Sequence, residues 1–226
     1  MRNRQPDLAV AQREHWQGTY QQHPSMYGAD PSEPARYAAR IFKAAGAQRV
    51  LELAAGHGRD ALYFAREGFT VIATDFSQVA LDQIGQAARA QCLEAGISEI
   101  MHDLREPIPL DTESVDAVYA HMALCMALST KEIHDAIGEI WRVLRPGGKL
   151  VYTVRNTGDA HYKAGRDCGD DIFEHGGFAV HFFSRQLVST LAEGWLLDEV
   201  EPFDEGDLPR RMWQVTATRP TIGVPR

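Results

Sequence analysis

The residues best suited to chemistry lie directly behind short apolar runs. Glu52-Leu53-Ala54-Ala55-Gly56-His57-Gly58-Arg59-Asp60-Ala61 leaves one such run with two glycines, which let a backbone turn sharply and approach a ligand with no side chain in the way. Asp75 ends the next apolar run, 19 residues beyond Gly56, where an acid can accept hydrogen bonds from both hydroxyls of a ribose. A nucleoside-bearing ligand is therefore expected. Gly56 to Ala61 satisfies the dinucleotide pattern G-x-G-x-x-G/A, yet a pyrophosphate needs the free amides and positive dipole end of a helix start. Glu52 and Asp60 place two carboxylates where those phosphates would lie. S-adenosyl-L-methionine carries cationic sulfonium and ammonium groups on a phosphate-free nucleoside, and acids beside a glycine turn suit it. An NAD(P)-dependent oxidoreductase stays open as the alternative, as does Asp60 acting simply as a helix-start acid.

Candidates for chemistry on a second substrate come later in the chain. His121 directly follows a strand-like run, and His161, His175 and His181 lie in or just beyond a long irregular segment; any could act as a base. The stretch His121-Met-Ala-Leu-Cys125-Met126 is sulfur-rich and suits a polarizable acceptor, with Cys125 either facing it or packed in a turn. Arg155 could meet an anionic acceptor through paired hydrogen bonds or hold a loop by a salt bridge. The histidines have neither i,i+4 spacing nor an H-E-x-x-H motif, so no metal is expected. Asp198 to Asp207 holds six acids in ten positions and reads as a solvated edge, partly answered by Arg210 and Arg211.

These residues must be positioned by regular elements, and the pattern supplies them. Strands are expected at Arg49–Ala54, Thr70–Thr74, Ile97–His102, Val115–Ala120, Lys149–Val154 behind a Pro146-Gly147-Gly148 turn, Trp195–Val200 and Met212–Thr218. Helices are expected at Arg36–Ala45, Arg59–Glu67, from Ser77 as cap to about Glu94, at Thr130–Leu144 and at Ser184–Glu193. Strand alternating with helix specifies an α/β fold: a doubly wound, mainly parallel seven-stranded sheet with an antiparallel edge strand and helices on both faces. One domain over 1–226 is expected, with a leader at 1–46, a cofactor-binding half at 49–154, and a substrate loop and antiparallel edge at 155–226. The leader is polar and broken by Pro24, Pro31 and Pro34, and its aromatics Trp16, Tyr20 and Tyr27 either cover a ligand as a lid or pack on the core or a dimer interface.

Composition narrows the class further. With 23 Lys+Arg against 31 Asp+Glu the net charge is −8, which leaves out the attraction that dominates nucleic-acid binding and points to a small molecule as substrate. Three scattered cysteines, Cys92, Cys125 and Cys168, fit reduced thiols. No run approaches a bilayer span, and no apolar stretch follows the charged start, so a cytoplasmic monomer or homodimer away from membranes is expected.

The run Val50-Leu-Glu52-Leu-Ala-Ala-Gly56-His-Gly58, then Thr74-Asp75-Phe-Ser77, resembles the class I (Rossmann-like) S-adenosylmethionine-dependent methyltransferases. His102-Asp103-Leu104, Ser114-Val-Asp116-Ala-Val and Arg142-Val-Leu-Arg-Pro146-Gly147-Gly148-Lys follow in the matching order, so the resemblance spans about Arg49 to Val154. The family's usual first glycine is here Ala54. The resemblance implies that Glu52 and the loop backbone through Ala54, Gly56, His57 and Gly58 hold the methionine part of S-adenosyl-L-methionine, with Tyr27 closing over it. It implies further that Asp75 takes the ribose, Phe76 lies against adenine, Asp103 and the Leu104 amide read the adenine edge, and His121 borders cofactor and substrate. The Gly-Arg-Asp start of the first helix is similar to small-molecule members of the tellurite-resistance and thiopurine type, which suggests a thiol, chalcogen or other soft acceptor. A non-catalytic protein that binds the same cofactor is the remaining reading.

Overall fold

Alternation of short apolar runs with amphipathic helices leaves each strand two faces to bury, and the chain buries both. The computed structural model describes residues 8–24, 26–206 and 210–221. In chain order the elements are α1 (Leu8–Gln22), α2 (Glu33–Ala44), β1 (Arg49–Leu53), α3 (Arg59–Arg66), β2 (Thr70–Asp75), α4 (Gln78–Ala90), β3 (Ile97–Met101), β4 (Val115–His121), α5 (Thr130–Val143) and β5 (Leu144–Arg155). There follow β6 (Arg166–Asp167), β7 (Ile172–His175), β8 (Phe178–His181), α6 (Arg185–Leu191), β9 (Leu196–Glu205) and β10 (Arg210–Thr218). Seven strands form one sheet in the order β3-β2-β1-β4-β5-β10-β9. The first five are parallel, and β10 runs antiparallel to both β5 and β9. That is the expected doubly wound sheet with its antiparallel edge.

Successive strand residues point to opposite faces. Val50, Val71 and Tyr119 pack with Phe42 of α2, Phe64 of α3 and Ile84 of α4, whereas Leu51, Ile72 and Val118 pack with Ile133 and Ile140 of α5 and Leu191 of α6. Ser77 caps α4 by accepting from the Ala80 amide, as its place before the helix predicts, and Ser129 forms a capping box with Glu132 on α5. Among the described residues no helix is long and apolar enough to cross a membrane.

Five features differ from the sequence expectation. Helix α1 was not foreseen, because its buried stripe is only Gln12, Trp16 and Tyr20, one residue per turn in an otherwise polar segment. Pro34, taken for a break, sits in the first turn of α2, where a proline fits, and α2 belongs to the core rather than to a lid. The Pro146-Gly147-Gly148 turn is a bulge inside β5, since Val115 pairs with Leu144 and Ala117 already pairs with Lys149. The irregular segment after β5 holds the small antiparallel sheet β6-β7-β8, and β9 extends through the acidic run to Glu205, with Pro202 tolerated because β9 is an edge strand.

Candidate active site

Chain direction across the sheet reverses at β1, which lies between β2 and β4, and the carboxyl ends of these strands open into a cavity of about 1050 Å³ counted to its open mouth. Open α/β sheets bind ligands at such a switch point. The turn after β1 is left-handed at Gly56 (φ 56°) and Gly58 (φ 85°), and a Cβ on Gly58 would meet Ile84 Cγ1 at 2.5 Å. Ala54 also adopts φ 53°, a conformation that costs an L residue about 1–2 kcal/mol. Ala54 thus adopts a left-handed backbone that glycine takes more readily.

Glu52 lines the cavity at 3% exposure, and its Oε2 has no hydrogen-bond partner. Burial, and after it the neighbouring Asp60, pushes this carboxyl well above the ordinary carboxylate range. Leaving such a group unpaired costs about 1–3 kcal/mol or more, a cost that a ligand cation relieves. Asp60 is already satisfied by Ser32, through its amide at 2.8 Å and hydroxyl at 2.7 Å, and by the Tyr119 hydroxyl at 3.2 Å. It ties α3 to the start of α2 and to β4, so the helix-start reading describes most of its role. Asp75 accepts from the Gly56 amide on Oδ2 and the Ser77 amide on Oδ1, both at 2.9 Å, and so fastens the glycine turn to β2. Burial outweighs these amides and moves its pKa up to about 6. Each oxygen retains a lone pair for a hydroxyl.

Phe76, Asp103 and Leu104 line the same cavity, beyond Asp75. Asp103 pairs with Arg105 at 3.1 Å and with Arg13 of α1 at 2.5 Å, while the Arg13 guanidinium lies 5.8 Å from the centre of the Phe76 ring. Burial opposes the Asp103 charge, but the Arg105 amide and guanidinium together with Arg13 hold its carboxyl below the usual range. Helix α1 lies over this end of the cavity. Trp16 and Tyr20 line it, and the Gln12 side chain anchors the helix to the β7–β8 hairpin through Gly177 O at 2.8 Å and Ala179 N at 3.0 Å. At the other end Tyr27 stacks on His57, with ring centroids 5.6 Å apart and planes 5° from parallel.

His121 stands at the end of β4 with its Nδ1 2.8 Å from Thr153 Oγ1 and its Nε2 3.4 Å from Glu205 Oε1. Glu205 ends β9 and was not singled out from the sequence, where it disappears into the acidic run. Burial works against its charge, yet His121, with Arg59 and Arg210 around it, holds the carboxyl below the usual range. Arg59 and Arg210 also line the cavity, from α3 and the first residue of β10. No local motif marks Glu205 or Arg210; only the β9–β10 pairing brings them to the site.

Three other candidates stay outside the cavity. Cys125 is fully buried, its Sγ 3.4 Å from Met122 O, and burial pushes the thiol to about 11, so it faces the core rather than an acceptor. Arg155 is committed to Asp159 by a two-pronged ion pair and touches His161 at 3.1 Å, which makes it a loop anchor. His181 is 1% exposed and bonds Leu128 O through Nδ1 at 2.8 Å. Its burial follows from β8, whose inward face a scan for histidines does not reveal. Among the described residues no group of three or more metal-ligating side chains gathers.

An unpaired buried carboxylate at a glycine turn, a second acid one strand away and an apolar, aromatic-covered floor suit a cationic nucleoside and repel a pyrophosphate. Fold and site are similar to those of class I, Rossmann-like, S-adenosylmethionine-dependent methyltransferases, and residues 50–148 match the family model for a methyltransferase domain. The chain is 36% identical over 132 residues to an uncharacterized methyltransferase of Mycobacterium bovis, covering 58% of this chain and 49% of that one. It is 33% identical over 104 residues to a demethylmenaquinone methyltransferase of Clavibacter sepedonicus, covering 46% and 40%. The chain spans about half the length of these curated relatives or less. In fold it is similar to the 1,6-didemethyltoxoflavin-N1-methyltransferase of Burkholderia thailandensis, solved with 1,6-didemethyltoxoflavin and S-adenosylhomocysteine, at a TM-score of 0.72 over 94% of this chain and 88% of that one, with 17% identity.

Proposed function

We propose that the protein transfers the methyl group of S-adenosyl-L-methionine to a small-molecule acceptor. The observation that carries this reading is Glu52: a buried carboxylate lining the cavity with an oxygen that nothing in the described chain satisfies. Glu52 and the backbone from Ala54 to Gly58 would hold the methionine part, beneath Tyr27 and His57. Asp75 would take the ribose hydroxyls, Phe76 the face of adenine, and Asp103 with the Leu104 amide its edge. Arg13 occupies Asp103, but at 55% side-chain exposure such an ion pair is worth only about 0–1 kcal/mol and yields readily to an incoming base.

When bound, the cofactor supplies an electrophilic methyl carbon on sulfonium: the acceptor's lone pair forms the new bond, the carbon–sulfur pair goes to sulfur, and any acceptor proton must leave. His121 would take that proton. Its Nδ1 lies 2.8 Å from Thr153 Oγ1 and its Nε2 3.4 Å from Glu205 Oε1, so the proton would pass to the His121–Glu205 pair, with the carboxylate holding the protonated ring. Met122, next to His121, lines the cavity and gives a polarizable contact that suits a thiol or other chalcogen acceptor, whereas Met126 packs with the Trp16 and Tyr20 cluster that includes Phe76. The dominant requirement is alignment and exclusion of water, which the cover formed by α1 and Tyr27 serves.

The test is calorimetric titration. S-adenosylmethionine and its demethylated product are expected to bind with micromolar affinity, NAD is expected to give no heat, and Asp75→Ala is expected to weaken cofactor binding at least tenfold. Unchanged affinity in a folded Asp75→Ala protein sinks the ribose assignment. Binding of NAD alone favours an oxidoreductase, and tight cofactor binding without turnover on thiols, chalcogen oxyanions, phenols or amines makes the protein a sensor.

A further inference from the structure

The acceptor side of the cavity carries a cation that no described residue engages by a side-chain hydrogen bond or ion pair. Glu205 is the cross-strand neighbour of Arg210, yet its carboxylate turns to His121 at 3.4 Å and Arg59 at 3.8 Å. Arg59 is in turn engaged by the Tyr27 carbonyl at 3.2 Å and Asp60 at 3.5 Å. The Arg210 side chain lines the cavity and makes no hydrogen bond or ion pair among the described residues, although its charge acts on Glu205 and Tyr27. Beyond the cavity wall the charge is largely balanced, since Asp159 answers Arg155. Arg155 touches His161, and His161 stacks on His175 with ring centroids 4.8 Å apart. Burial, Arg155 and then, farther out, His175 and Arg210 hold the His161 imidazole below its ordinary pKa, against the pull of Asp159. A guanidinium with no carboxylate in pairing range, set in the wall of a cavity, is a site for an anion.

Order across the sheet says which anion. Asp75 stands on β2, Glu52 on β1, His121 on β4 and Arg210 on β10, and β10 lies three strands from β1 in the order β1-β4-β5-β10. At roughly 4.8 Å per strand that is about 14 Å. The nucleoside and methionine ends of the cofactor belong to β2 and β1, the transferred methyl to the neighbourhood of His121, and what lies beyond His121 is the acceptor. A guanidinium recognises a carboxylate by two parallel hydrogen bonds.

We infer that the acceptor is a small molecule bearing a carboxylate, held by Arg210 while its methyl-accepting atom rests beside His121; the inference rests on the function proposed above. Arg210 sets specificity and does no chemistry. The same carboxylate chemistry could also come from the methionine end of the cofactor, and the experiment separates the two sources.

The protein is saturated with S-adenosylhomocysteine, which cannot react, and ligand-observed NMR measures the affinity of matched acid and amide pairs: 4-mercaptobenzoate and 4-mercaptobenzamide, indole-3-acetate and indole-3-acetamide, hexanoate and hexanamide. At least one acid is expected to bind ten times more tightly than its amide. Arg210→Gln is expected to bring that ratio to about one while the S-adenosylhomocysteine affinity stays within twofold, and Arg210→Lys, which keeps the charge, to retain part of the preference. No acid preferred over its amide in any pair, absence of binding included, overturns the inference, as does a preference that survives Arg210→Gln. A tenfold loss of S-adenosylhomocysteine affinity in either Arg210 variant, with the acid preference intact, assigns Arg210 to the cofactor and also overturns it. Failure of the wild-type protein to bind S-adenosylhomocysteine at all strikes the functional reading instead, and the acid preference is then read on the cofactor-free protein.

Discussion

Replacing Glu52 with Gln should move stability and ligand affinity in opposite directions. The side chain is 3% exposed with an unpaired Oε2, and burial together with Asp60 raises its pKa well above the ordinary range, so the cofactor-free fold carries the cost of a desolvated carboxyl. Gln is nearly isosteric and removes the charge. Relief of about 1 kcal/mol would raise the Tm of a domain of this size by about 2–4 °C. The bound state loses a charge-assisted contact to the ammonium of the methionine part, worth about 1.5–3 kcal/mol, or roughly 10- to 150-fold in Kd at 1.4 kcal/mol per tenfold. Scanning calorimetry of the free protein and titration with S-adenosylhomocysteine read the two effects, and adenosine, which lacks the methionine part, serves as the control. Adenosine affinity should not change. An S-adenosylhomocysteine affinity within twofold of wild type refutes the role given to Glu52. An equal loss for adenosine refutes it too, because the substitution has then disturbed the cavity rather than one contact.

Two further outcomes follow from other parts of the structure. Burial lifts Asp75 from 3.8 to about 6, so the free folded protein holds an extra proton between those values, its stability falls as pH rises through that window, and a cationic ligand that favours the ionised acid binds with release of that proton. The Kd for S-adenosylmethionine should therefore rise by up to about tenfold per pH unit below 6, and a flat Kd between pH 7 and 5 contradicts the assignment. Arg155→Ala leaves Asp159, 1% exposed in its side chain, as an uncompensated buried charge, which should lower unfolding stability by about 3–5 kcal/mol in urea titrations while S-adenosylhomocysteine affinity stays within twofold. A large loss of affinity in the folded variant would return Arg155 to the site.

The run from β1 to β5 was legible because its signals are local. Apolar runs of strand length, glycines directly after the first strand, Asp75 at the end of the second and Ser77 before a helix each state their structure within a few residues, and parallel strands buried on both faces leave little freedom in how such runs assemble. Helix α1 was hidden for the opposite reason. Its three buried residues touch α4 and the β7–β8 hairpin, and a stripe one residue wide in a polar segment gives no periodic signal until those partners are in place. Cys125 and His181 illustrate the same limit: residue type suggests chemistry, but the side of the strand or turn on which a side chain falls decides whether it meets a ligand or the core.

By itself, then, the sequence determined a doubly wound sheet, a glycine turn flanked by acids and a preference for a cationic nucleoside over a phosphate-bearing one. The proposed acceptor side was decided only by tertiary structure. His121 is visible as a residue after a strand, but its partner Glu205 lies 84 positions away on an edge strand, inside a run of acids that reads as solvated surface. Arg210 reaches the cavity only because β10 inserts antiparallel between β5 and β9. Contacts of that separation depend on strand order and register, which pairing energies across the whole sheet select and no short window of residues encodes.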